Sequence, residues 1–247
     1  MPYIFAIKHC RCYTHSYRED YMNIFITSDT HGDLSRAIEM FDAVTSSTEL
    51  AGIPHVDHFD CIIHCGDYKK DAFALSKALG LEVYCAYGNC DDVWSPDFDI
   101  LDTDAGSIVV THGHIEDVNN THEHLYELAC DQGCNAICYG HTHIPVYTEE
   151  NGYLVINPGS PSKPLDGTEG SCAILTADEN GYSGQLIYYA DVLKALDDDA
   201  APADADETQS GKADPESVES PDTGKKNKKK KSVGGFLRKI FNYSDGQ

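Results

Sequence analysis

Apolar residues first fall into a regular pattern at Met22, where "MNIFITSD" reads as a short buried strand ending in an acid. "DLSRAIEMFDAVTSS" then carries apolar residues at helical spacing, with Asp33 placed to cap the helix start. The alternation continues. "FDCIIHCGD" predicts a buried strand, "KDAFALSKALG" a helix closed by Gly80, and "LEVYCAYGN" and "GSIVVTHGH" two further strands. "NTHEHLYELACDQG" predicts a helix ending at Gly133, and "NAICYGHTH" a strand. The style then changes. "PVYTEENGYLVINPGS" predicts a hairpin turning at Asn151–Gly152, and "GSCAILTAD" and "SGQLIYYADV" predict a second across "ENGY". Strand–helix alternation followed by antiparallel strands implies a layered α/β domain, built on a mixed sheet or on two facing sheets.

The pattern assigns residues 22–195 to this domain. Residues 1–21 form an N-terminal extension rich in Tyr, His and Cys without a clear period, which makes Met22 a candidate working start. Residues 196–247 form a tail. Its first part is acidic with few large apolar residues, a composition expected to be disordered. A basic block, "GKKNKKKKS", follows. The closing "VGGFLRKIFNY" places Phe236, Leu237, Ile240 and Phe241 on one helical face, which suits contact with a partner or a membrane surface. A solvated charged tail is the plainer reading and the favoured one.

Charge narrows the function classes. A net charge of −23 over 247 residues disfavours stable binding to nucleic acid, whose phosphates attract clustered Lys and Arg. It would also repel an anionic substrate unless bound metal reverses the local sign. The ten cysteines show no zinc-finger spacing. Cys61, Cys65, Cys85 and Cys138 lie in apolar runs as small hydrophobes. With no apolar run long enough for a membrane span and no signal peptide, the expected setting is cytoplasmic and reduced.

Candidate chemistry gathers where the strands end. Five successive predicted strands deliver Asp29 and His31, then Asp67, then Asn89, then His112 and His114, then His141 and His143. Three of these groups follow a glycine directly. One such residue is unremarkable as a cap or turn, but five strand ends in order are a poor product of chance. In α/β sheets, ligands collect at the carboxyl ends of strands. Imidazole, carboxylate and amide oxygen suit Mn2+, Fe and Zn2+. A D-x-H segment leaving a strand would point both side chains to one side to grip one ion, and His141 and His143 would do the same. Asp67 could bridge two ions roughly 3.5–4 Å apart.

"SDTHGD", "HCGD", "YGNCDD", "THGH", "YGHTH" and "INPGS" together resemble the ordered motifs of the calcineurin-like metallophosphoesterases, closest to their small bacterial and archaeal phosphodiesterase branch. The resemblance spans Met22 to about Ala190. It implies a two-sheet β-sandwich flanked by helices, in four α/β/β/α layers, with a dinuclear metal site at one edge. Carried over by matching position, Asp29, His31 and His143 would bind one metal, Asn89, His112 and His141 the other, and Asp67 both. Asp67, Asn89 and His112 are the catalytic candidates among them. The implied cofactors are two divalent ions, Mn2+ first, with Ni2+, Fe or Zn2+ as alternatives. The implied reaction is in-line attack of a metal-bridging hydroxide on a small phosphate ester, most readily a diester, and the branch commonly forms homo-oligomers. A phosphomonoesterase is the alternative of the same class. A non-catalytic scaffold is the alternative of another class, since one eukaryotic trafficking subunit shares the fold but has lost metal-site histidines.

Departures from the wider family narrow the branch. Cys90 stands where protein phosphatases and repair nucleases carry a histidine, and a neutral thiol is the poorer acid near neutral pH. Lys70 stands where purple acid phosphatases carry a tyrosine ligand. Asn157–Ser160 reads equally as a backbone lining for phosphate or as a plain turn. Asp91 and Asp92 read as outer-sphere or solvent-facing acids, Tyr68 and Trp94 as pocket walls, and His122 and His124 as an exposed helix start.

Overall fold

A computed structural model describes residues 21–46, 49–91 and 98–200; the N-terminal extension, Asp92, Trp94 and the charged tail fall outside the described residues. In chain order the elements are β1 (Tyr21–Thr27), α1 (Ser35–Val44), β2 (Cys61–His64), α2 (Lys69–Leu79), β3 (Glu82–Cys85), β4 (Phe98–Thr103) and β5 (Gly106–Thr111). There follow α3 (Glu123–Gln132), β6 (Ala136–Cys138), β7 (Val146–Glu150), β8 (Tyr153–Asn157), β9 (Ser171–Asp178), β10 (Gly181–Tyr188) and α4 (Tyr189–Asp199).

The strands form two five-stranded mixed sheets, ordered β10-β9-β1-β2-β3 and β4-β5-β6-β8-β7. The architecture is the expected two-sheet sandwich flanked by helices. Its layers can be read from single strands. In β1, Ile24 and Ile26 point into the space between the sheets and meet Ile108, Val110, Cys138 and Ile156 of the facing sheet. Phe25, between them, points outward and packs with Met40, Ile62, Leu75 and Val192 under α1, α2 and α4. On the far side Val109, Ile137 and Val155 pack with Leu125 and Ala129 of α3. Strands covered on both faces read as unbroken apolar runs, which is why "IFI", "CII" and "AIC" show no alternation.

Local chemistry explains the boundaries. α2 and α3 end on Gly80 and Gly133 in the left-handed conformation, as the sequence predicts. The β7–β8 turn uses positive φ at both Asn151 (52°) and Gly152 (84°), the backbone of a type I′ hairpin. Asp33 lies two residues before the first helical residue of α1, and its Oδ1 accepts the Ser35 amide at 3.0 Å.

Two elements differ from the pattern. β4 pairs antiparallel with β5 and intervenes between β3 and β5, so the chemistry-bearing strands are not all consecutive. Its signal was weak because it is an edge strand in which only Leu101 is buried. The last strand stops at Tyr188 rather than continuing through Val192. From Tyr189 the chain is helical, with Val192 and Ala195 three residues apart on the buried face, and the helix continues past Ala195 to Asp199. Burying a carboxylate at the fully enclosed Val192 site should therefore cost far more than a polar change at Leu193, which is 42% exposed. Urea denaturation of Val192→Asp is expected to show a loss of about 3 kcal/mol or more, against about 0.5 kcal/mol or less for Leu193→Gln.

Candidate metal centre

All seven predicted ligand residues meet at one end of the sandwich. Asp29 and His31 leave β1, Asp67 leaves β2 and Asn89 leaves β3, all from one sheet. His112 leaves β5, and His141 and His143 leave β6, from the other. The site is thus built across the gap between the sheets. His112 stitches that gap, its Nδ1–H donating to the Cys65 carbonyl at 2.8 Å. The amide of His141 donates to Asp29 Oδ2 at 3.0 Å and closes it from the opposite strand.

Strand alternation is not what aims the side chains. Asp29, His31, Asp67, His141 and His143 all have φ between 47° and 68°, the left-handed region that Asp and His tolerate better than most residues. Each such residue costs roughly 1–2 kcal/mol of backbone energy. As a consequence His141 and His143 do not grip a common point. Their imidazoles diverge, His143 toward Asp29 and His31, and His141 toward Asn89.

Two overlapping groups result. Asp29, His31, Asp67 and His143 each offer one ligand atom, all within 4.8 Å of one another. In it His143 Nε2 lies 3.3 Å from Asp29 Oδ1, and His31 Nε2 lies 3.3 Å from His143 Nε2 and 3.4 Å from Asp67 Oδ2. The second group centres on Asn89 Oδ1, which is 3.1 Å from His112 Nε2 and 3.0 Å from His141 Nδ1. Asp67 belongs to both, because its other oxygen, Oδ1, is 3.3 Å from His112 Nε2.

The donor set fits divalent metal. Asp29 is completely buried, and among the described residues its Oδ1 accepts no hydrogen bond. Such an oxygen calls for a cation. His112 and His143 donate through Nδ1 to the carbonyls of Cys65 and Lys163, at 2.8 Å and 2.5 Å, which leaves Nε2 bare toward the centre. Two glycines leave room for the cluster. A Cβ at Gly88 would overlap the Asp67 carboxylate, and one at Gly140 would overlap the Ser28 hydroxyl and stand 2.7 Å from Asp29 Oδ2.

Charge states follow from the packing. Burial alone would raise Asp29, but His143, His112 and the Ser28 hydroxyl, 2.6 Å away, hold it below the ordinary 3.8. Burial alone would lower His143, yet the Asp29 carboxylate lifts it above 6.5. His31 is lowered by burial and by Lys163, and His141 by burial and by His112, so both favour the neutral, ligating form. Burial and the Asp67 carboxylate push the Cys90 thiol up to about 11, so it stays protonated near neutral pH.

Several supporting residues escaped the sequence reading. Asn119, in the loop before α3, puts its amide 2.9 Å from His141 Nε2. Thr30 lies 3.1 Å from the buried His64 and donates to Asp71 Oδ2 at 2.9 Å, and Asp71 also accepts the Gly32 amide at 2.6 Å. These residues carry no motif of their own; only their position behind the ligands marks them. Asn157–Ser160 proves to be a brace. Asn157 donates to the Gly140 carbonyl at 2.9 Å and keeps the Gly159 amide for its own Oδ1, while Ser160 donates to the Asp29 carbonyl at 2.8 Å. His114 packs beside His112 and His141, with ring centroids 5.3 Å and 6.2 Å away. Asp91 accepts the Lys69 and Gly88 amides at 2.8 Å and 2.9 Å, an outer support for the Asp67 and Asn89 loops. His122 stands at the start of α3 with its nitrogens turned to Glu150 and Tyr139, and His124 turns to the Glu116 carbonyl.

Comparison with known proteins agrees with this geometry. Residues 22–180 match the calcineurin-like phosphoesterase superfamily domain, and the chain belongs to that family of phosphoester hydrolases. It is 35% identical over 163 residues to the probable metallophosphoesterase YsnB of Bacillus subtilis, covering 64% of this chain and 86% of that protein. It is 29% identical over 182 residues to phosphodiesterase MJ0936 of Methanocaldococcus jannaschii, covering 65% and 96%. Among solved structures, a phosphoesterase-like protein of Streptococcus pneumoniae superposes with a TM-score of 0.54 at 23% identity, covering 70% and 92%. Vps29 of Entamoeba histolytica superposes with a TM-score of 0.51 at 17% identity, covering 68% and 99%, and so shares the fold.

Two measurements probe the centre. The Asp29–His143 pair stabilises the metal-free protein fully between pH 3.8 and 6.5, the ordinary values of its two groups. Its contribution is lost as pH falls through the depressed value of Asp29 or rises through the raised value of His143. The stability gap between wild type and His143→Gln in urea should therefore be wider at about pH 5.5 than at about pH 8.5. Removing the partner of His141 should loosen its imidazole, so Asn119→Ala is expected to weaken metal affinity by roughly 10–100-fold in titrations followed by calorimetry.

Proposed function

We propose that this protein is a dinuclear metal-dependent phosphodiesterase. The observation that carries the reading is Asp67, whose two carboxylate oxygens face two separate ligand groups. Asp29, His31 and His143 would hold one divalent ion, and Asn89, His112 and His141 the other, with Asp67 shared between them. Mn2+ is the first candidate for this donor set, ahead of Ni2+, Fe and Zn2+. The chemistry supplied by two bound ions is Lewis acidity at the phosphoryl group and a water acid enough to attack near neutral pH.

The chain's own residues complete the site. The carbonyls of Cys65 and Lys163 fix the tautomers of His112 and His143, so both imidazoles meet an incoming cation ready to ligate. Asn89 Nδ2 donates to Cys90 Sγ at 3.7 Å, a weak bond that a phosphoryl oxygen can replace. The Cys90 thiol holds its proton too firmly to serve as an efficient acid, so the geometry favours leaving groups that depart without protonation. MJ0936, named a phosphodiesterase, adds support for a diester over a monoester.

The test uses metal-stripped full-length protein with bis-p-nitrophenyl phosphate and the matching monoester, adding back Mn2+, Ni2+, Zn2+ or Mg2+ singly. Restored cleavage favouring the diester is expected. Asp67→Asn and His141→Ala should each lower it by more than the roughly 100-fold seen for losing an outer partner. Preference for the monoester would replace the diesterase reading, and failure to bind any metal would favour a scaffold of the same fold.

A further inference from the structure

Beside the metal centre lies a cleft of about 590 Å3, walled by Tyr68, Lys69, Lys70, Phe73, Tyr87 and Cys90. Two of its wall residues, Tyr68 and Cys90, touch candidate ligands. Tyr68 follows Asp67 directly and sets its ring edge-on to His31, with centroids 5.4 Å apart. Cys90 follows Asn89 and gives its amide to Asp67 Oδ1 at 3.0 Å. A phosphate at the metals would therefore have this cleft next to one of its ester arms.

The wall chemistry is unusual for so acidic a chain. The described residues contain only six lysines and arginines, and Lys69 and Lys70 both line this cleft. Among the described residues neither ammonium is in an ion pair with a carboxylate. Each instead lies against aromatic rings. Lys69 Nζ is 3.8 Å from the Tyr87 centroid and 5.9 Å from that of Phe73, and Lys70 Nζ is 4.9 Å from that of Tyr68. The Phe73 side chain is left 57% exposed on the second turn of α2. The Asp91 carboxylate at the floor is engaged by the amides of Lys69 and Gly88, at 2.8 Å and 2.9 Å.

We propose that this cleft binds the nucleoside-bearing arm of the substrate, so that the phosphodiester cleaved at the centre is a nucleotide derivative. Flat rings beside ammonium groups match a ligand that joins a base to additional anionic oxygen. The volume falls within the range of small-molecule sites. A simple alkyl arm would leave the exposed Phe73 without a partner and the lysines without an anion. The inference rests on the phosphodiesterase reading of the adjacent centre and deepens it to a substrate class.

The test compares two diesters with the same leaving group, thymidine 5′-(p-nitrophenyl phosphate) and methyl p-nitrophenyl phosphate. Wild-type protein should prefer the thymidine ester in kcat/KM by on the order of tenfold or more, the scale of one base stacked on an aromatic side chain. Phe73→Ala combined with Lys70→Gln should bring that ratio close to one. Equal use of both esters by wild type, or an unchanged ratio in the double variant, would overturn the proposal while leaving the phosphodiesterase intact. Equilibrium dialysis of adenosine 5′-diphosphate in excess chelator is the second readout. Binding by wild type and by Asp67→Asn, but not by the double variant, supports the cleft. Absence of binding by wild type overturns it, whether or not any ester is cleaved.

Discussion

Two carboxylates enclosed where the two sheets meet set the terms for everything around them. Asp29 is fully buried and Asp67 nearly so, and burying an anion is costly unless cations and hydrogen-bond donors surround it. The chain supplies donors from the Ser28 hydroxyl and the His141 amide to Asp29 and from the Cys90 amide to Asp67, and it sets the imidazoles of His31, His112 and His143 beside them. Even so, Asp29 Oδ1 accepts no hydrogen bond among the described residues. That incomplete compensation is what a divalent ion would complete.

Holding this arrangement requires a rigid setting behind it. Five of the candidate ligand residues occupy left-handed backbone, which persists only where neighbours over-determine it. Asp71, on the first turn of α2, ties down the β1 loop through Thr30 and the Gly32 amide. His64 sits behind Thr30, and burial lowers its pKa to about 4, so it stays neutral in the core. From the other sheet, Asn157 and Ser160 tie the Gly140 carbonyl to the Asp29 carbonyl. The sandwich itself thus determines the spacing between the two ligand groups.

The fold does not fix the chemistry. Vps29 shares the architecture at 17% identity, and activity depends on which side chains stand at the strand ends rather than on the sandwich that carries them. Here all seven strand-end positions carry competent ligands, and they occupy one small volume. The adjoining cleft is lined by α2 and by the loops that follow β2 and β3, outside the strands that carry the common frame.

The convergence of these seven strand-end residues was legible in the sequence because Asp, Asn and His recurring at strand ends are hard to produce by packing alone. The buried strands were equally legible, since runs such as "IFI" and "CII" can satisfy only positions covered on both faces. β4 was not, because an edge strand with one buried residue leaves almost no hydrophobic signature. Nor was the switch to helix at Tyr189, where β- and α-spacing both accommodate the same few apolar residues until the core beneath α1 selects one. The separation of His141 from His143 depends on backbone φ, which no side-chain pattern encodes. Asn119, Asp71 and the Lys69–Lys70 cleft likewise came only from the tertiary structure. Sequence dictates which atoms can ligate; three-dimensional packing decides which of them face one another, and what stands behind and beside them.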